Sequence, residues 1–131
     1  MNSYPKLLIA CCFFSTLLGC SQFSVQQQLE KYAAQQRQAR KIPRKITDIL
    51  TLIDIQAGEN ELIQVFTIKG PIGKIKQKKD ELELNVLAEL KKNKAQIKDL
   101  IAYKVVMTFK YLHAASKEEI HVFQVKPWND L

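Results

Sequence analysis

Few residues in this chain of 131 have side chains that could do chemistry. His113 and His121 are its only imidazoles, eight positions apart, with no cysteine and no run of carboxylates at metal-ligand spacing around them. They read as structural histidines, and neither a metal nor any other cofactor is expected. Ser116 stands near His113 and Glu118-Glu119, which on paper imitates a nucleophile, a base and an orienting acid. A working triad draws its members from separate elements that hold them in register, whereas these share one polar stretch in which Ser and Glu are ordinary turn residues. Asp48 and Asp54 lack the shielded cleft that would hold two carboxyls about 5–9 Å apart. Gly70-Pro71-Ile72-Gly73 has proline where a phosphate-cradling loop needs amides. No enzyme is expected.

The thiols give a different answer. Cys11, Cys12 and Cys20 all lie in the first twenty residues. Lys6 and the amino terminus form a positive start, Leu7 to Leu18 is an apolar run broken only by Ser15 and Thr16, and polar Ser21-Gln22 follows. That is the layout of a secretory signal peptide, and the run is too short for a span of about 20 apolar residues. The closing residues Leu17-Leu18-Gly19-Cys20 resemble the lipobox of bacterial lipoproteins. The resemblance implies a diacylglyceryl group on the Cys20 sulfur, cleavage before Cys20, and a further acyl chain on the new amino group. Ser21, where inner-membrane lipoproteins resemble one another in carrying Asp, points to the outer membrane, at its periplasmic face. Two acyl chains already give stable anchoring, at about 0.8 kcal/mol per buried methylene.

With residues 1–19 removed, 112 remain, enough for one small core. Lys6 leaves with the signal, so 19 basic residues face 13 acidic ones, a charge of plus six. Such a charge suits solubility and also contact with a polyanion such as lipopolysaccharide or wall polymer. Cys20 carries the lipid, so no disulfide is expected and the core alone must hold the fold. Residues 20–45 are rich in glutamine and end in the basic cluster Arg37 to Lys45. They read as a flexible tether of about 28 Å root-mean-square span, in which Leu29, Tyr32 and Ala33 make at most a weak helical stripe that Pro43 would end.

From Ile46 to Leu131 the pattern is that of a small domain. Ile49 to Ile55 and Leu62 to Ile68 read as a hairpin around Gly58-Glu59-Asn60-Glu61. Leu82, Val86, Leu87 and Leu90 give a helix starting near Asp80, and Ala95 to Ile101 a second short one. Tyr103 to Leu112 alternates as a strand, and Ile120 to Lys126 is the last. The fold expected is α+β, a two-layer β-β-α-(α)-β-β domain with an antiparallel sheet and its helices on one face. In this order, and in Leu62-Ile63-Gln64-Val65-Phe66-Thr67 and Lys104 to Tyr111, the domain resembles small proteobacterial envelope proteins built as hairpin, helix, hairpin. Many of those have no assigned role, and the cysteine pair frequent among them is missing here.

The lysine clusters Lys74 to Lys79 and Lys91 to Lys98 have no interleaved aromatics for bases to stack on, so no nucleic acid partner is expected. The second face of the alternating strand carries Lys104, Val106, Lys110 and Leu112, more apolar than a solvated face requires. Either these four form an interaction surface, or the tether helix or Trp128 covers them. The expected role is a lipid-anchored accessory or assembly factor that binds an envelope protein, of a secretion or pilus machine for example. An inhibitor of a hydrolase and a polyanion-binding module are the alternatives.

Overall fold

A computed structural model of the chain describes residues 25–131; the signal segment and Cys20 read from the sequence lie outside the described residues. Five strands and five helices form an α+β fold. The strands are β1 (Arg44–Lys45), β2 (Leu50–Gly58), β3 (Glu61–Ile68), β4 (Val106–His113) and β5 (Glu119–Val125), hydrogen-bonded in that order into one sheet. Helix α1 (Val25–Ala39) precedes them. Between β3 and β4 come α2 (Ile72–Gln77), α3 (Lys79–Lys92), a 3-10 turn (Lys94–Ile97) and α4 (Lys98–Ala102), and α5 (Pro127–Asp130) closes the chain.

The sheet departs from the expected all-antiparallel pairing at its centre. β3 and β4 run parallel, Leu62 beside Met107 and Phe66 beside Tyr111, while the other three pairs are antiparallel. Parallel neighbours need a crossover of a dozen or more residues, and the helical segment from Ile72 to Ala102 provides it. It leaves the end of β3 and returns the chain to the opposite end of the sheet, where β4 begins beside Asn60.

One face of the sheet holds the core. Leu50, Leu52 and Ile55 of β2, Leu62, Phe66 and Ile68 of β3, Met107, Phe109 and Tyr111 of β4, and Val125 of β5 are buried on it. Phe66 and Tyr111 stack at 5.0 Å and Phe109 and Phe123 at 5.3 Å, offset contacts that add to plain burial. Leu82, Val86 and Leu90 cover this face from α3, and the His121 ring holds Glu83 of α3 at 2.6 Å while lying on Phe123. Helix α3 starts at Lys79, one residue before the expected Asp80, and takes no side-chain cap, so Asp80 is a first-turn residue facing the helix dipole.

Residues 25–39 correct the tether reading. They form a 15-residue helix whose Leu29, Tyr32 and Ala33 enter the same core at 0 to 2% exposure. The spacing i, i+3, i+4 makes one narrow stripe, and β2 supplies the apolar partner that the glutamine-rich helix lacks by itself. Polar bonds fix its position: Arg37 Nη1 donates to the Ile55 carbonyl at 2.5 Å, and Gln26 donates to the Gly58 carbonyl at 2.7 Å while accepting from the Asn60 amide at 2.9 Å. Residues 25–39 thus pack as part of the fold that the sequence pattern places from Ile46 on.

Gln64 is the exception in the core. It pairs with Ile55 and Phe109 on the buried face, is 4% exposed, and its Oε1 has no hydrogen-bond partner. A buried acceptor left unmade costs about 1–3 kcal/mol. Gln64→Leu is expected to raise stability by about 1 kcal/mol, which for a domain of this size moves Tm up by about 4–8 °C in a thermal melt.

Candidate docking surface

Among the described residues no helix packs on the opposite face of the sheet. By alternation and register it presents Thr51, Asp54 and Gln56 from β2, Ile63, Val65 and Thr67 from β3, Val106, Thr108, Lys110 and Leu112 from β4, and Val122 and Gln124 from β5. Ile53, the extra residue of a bulge in β2, sits beside them, half-buried. None of these apolar side chains packs against the core cluster. Val65 is 7% exposed, Ile63, Val106 and Leu112 are half-buried, and Val122 stays 38% exposed. The face is thus an apolar band through Ile63, Val65, Val106 and Leu112, edged by the Thr108 hydroxyl, which donates to Glu61, and by Lys110. Alternating strands of an open antiparallel sheet ordinarily turn polar residues to water; an uncovered apolar patch marks an interaction surface.

Val106, Lys110 and Leu112 are brought together on this face as the sequence pattern suggested. Lys104 is not. β4 starts two residues later, and Lys104 lies in the preceding turn with φ 53°, its carbonyl accepting from Asn60 Nδ2 at 2.9 Å. The alternation extended past the strand because Tyr103 and Val105 continue its rhythm. Ile63, Val65 and Val122 were missed as partners of Val106. Their signal was present in the alternation of Leu62 to Ile68, but it fixes a face only once the neighbouring strand's register is known. Neither α1 nor α5 covers the band: α1 lies on the core face and α5 packs beside α4.

The remaining candidates fall elsewhere. His113 and Ser116 do meet, Nδ1 to Oγ at 2.9 Å, but the Ser116 hydroxyl also accepts the Glu118 amide at 3.2 Å, and His113 Nε2 faces the Gly70 carbonyl at 2.9 Å. The first two bonds close the β4–β5 turn on itself, and the third ties it to the loop after β3. His121 belongs to the clamp on α3, and Asp48 pairs with Lys45 on the surface at 3.6 Å. Among the described residues no group of three potential ligands could hold a metal ion, and no helix is long and apolar enough to cross a membrane. A groove of about 360 Å³ lies where β3 meets α2, lined by Ile49, Ile68, Ile75 and Leu82 together with Lys69, Lys74 and Lys78.

No family model and no curated protein matches the chain in sequence. Solved structures share its fold. A Pseudomonas aeruginosa protein described as a candidate secreted protein superposes with a TM-score of 0.67 at 12% identity, over 83% of this chain and 99% of that one. The pilotin of the Vibrio vulnificus type 2 secretion system gives 0.55 at 11% identity, over 81% of this chain and 94% of that one. The type II secretion pilotin of Vibrio cholerae gives 0.54 at 11%, over 79% and 93%. At these identities the likeness is one of fold.

Proposed function

We propose that this protein is a lipid-anchored, non-catalytic accessory factor of the bacterial cell envelope. Cys20 carries the lipid, the anchor is in the outer membrane facing the periplasm, and the open sheet face binds a protein of a secretion-type machine. The observation that carries the binding role is the apolar band of Ile63, Val65, Val106 and Leu112, on which no described helix packs. The shared fold with two type II secretion pilotins supports the choice of machine, and the lipobox-like Leu17-Leu18-Gly19-Cys20 supports the anchor.

A photo-crosslinking amino acid at Leu112, with one at Leu84 on the exposed side of α3 (66% exposed) as the control, tests this in intact cells. A crosslink to one envelope protein from position 112 and none from 84 is expected. Adding Val106→Glu should lower its yield at least tenfold, because a carboxylate must then be desolvated at the contact, while Val106→Thr leaves most of it. An unchanged yield with Val106→Glu would remove the sheet face from the account.

A further inference from the structure

Helix α1 fixes which end of the domain meets the membrane. Gln26, in its first turn, is bonded to both Gly58 and Asn60, and Asn60 is bonded to Lys104 and Val106. The start of α1, the β2–β3 turn and the α4–β4 turn therefore form one end of the sheet. Val125 pairs with Met107, so Lys126 and α5 emerge at that end too. From Cys20 to Val25 the chain has five steps, which cover about 18 Å when fully extended. The far end of β2 lies about 26 Å further on at the usual rise of a strand. An anchor at Cys20 reaches the near end only.

Tyr103 and Trp128 stand at this end, the first 43% exposed and the second half-buried, flanked by Lys104 and Lys126. Aromatic rings with a polar tip and lysines with apolar stems are the side chains that settle at the level of lipid headgroups. Glu59 and Asp130 share the end and offset the two lysines, so the rings supply the attraction rather than charge. The basic residues Arg44, Lys45, Lys69 and Lys74 gather towards the opposite end. That sets Arg44, Lys45, Lys69 and Lys74 away from the anchor, and leaves the open sheet face and the basic end directed at the periplasm.

We infer that the end bearing Tyr103 and Trp128 rests on the bilayer interface, on zwitterionic as well as anionic lipid, once Cys20 is anchored. This rests on the lipid-anchor reading of Cys20. Trp128 is the only tryptophan in the chain and reports the contact directly. Residues 20–131, which contain the whole described fold and only one cysteine, are coupled through Cys20 to maleimide lipid in phosphatidylcholine vesicles. This coupling works whether or not the cell acylates Cys20, so the two readings fail separately.

The expected result is a blue-shifted Trp128 emission that shallow spin-labelled lipids quench, persisting at high salt and diminished by Tyr103→Glu. The double variant Trp128→Phe with Ile49→Trp, whose new ring sits at the far end, should emit as it does free in solution. Equal emission of Trp128 in coupled and free protein would overturn the inference. So would a larger shift at position 49, or a shift that needs anionic lipid and vanishes in salt, since either would turn the basic end to the membrane.

Discussion

Shortened to residues 46–131, the protein is expected to lose its cooperative thermal transition. The missing pieces are the two-residue edge strand β1 and, above all, α1, whose Leu29, Tyr32 and Ala33 are buried against β2 and β3. Its removal strips the cover from Leu50, Leu52 and Ile55, three side chains at 0 to 3% exposure, and leaves the Ile55 and Gly58 carbonyls without Arg37 and Gln26. Emptying the Leu29 site alone by Leu29→Ala costs about 2–5 kcal/mol, out of the roughly 5–15 kcal/mol that separates folded from unfolded domains. The shortened chain loses that contact and several more. Near-ultraviolet circular dichroism through a thermal ramp checks both: a broad, non-cooperative change for 46–131, and a sharp transition at clearly lower temperature for Leu29→Ala. A sharp transition of 46–131 at the full-length temperature would return residues 25–45 to the status of a tether.

This helix shows where reading the sequence stops. Its stripe at Leu29, Tyr32 and Ala33 was visible, but among seven glutamines between positions 22 and 38 it looked too narrow to fold. The stripe became structural because β2 offers it an apolar partner, and that contact is invisible in a local window. Most helical stability in proteins comes from such packing rather than from propensity. The two long hairpin strands, the crossover helix and the last two strands were legible from period and turn residues. The direction of β4 was not, since alternation reads the same both ways along a strand. Only the 37 residues between β3 and β4 hinted at a crossover.

The docking band was half legible for a related reason. Val106 and Leu112 announced themselves as apolar residues on the wrong side of a strand, whereas Ile63 and Val65 sat in a run apolar on both faces. Register, set by Glu61 opposite Val106, is what joins the two pairs. Lys104 went the other way: its rhythm matched the strand, but its left-handed backbone belongs to the turn that Asn60 holds.

The position of Cys20 bears on everything beyond the fold. With only four residues between it and α1, a lipid there brings the domain close against the bilayer rather than loosely above it. Two or three acyl chains, at about 0.8 kcal/mol for each methylene buried, exceed what any reversible surface contact of this small domain supplies. Cys20→Ala is therefore expected to change localisation outright while leaving the fold of 25–131 untouched. Intact mass combined with membrane fractionation, on the protein expressed in a bacterium beside Cys20→Ala, tests the account most directly. It predicts a wild type beginning at residue 20, heavier by its acyl groups and recovered with the outer membrane, and a variant lacking both the added mass and that recovery. A wild type that is unmodified and recovered in the soluble fraction would contradict the lipid anchor and the envelope role built on it.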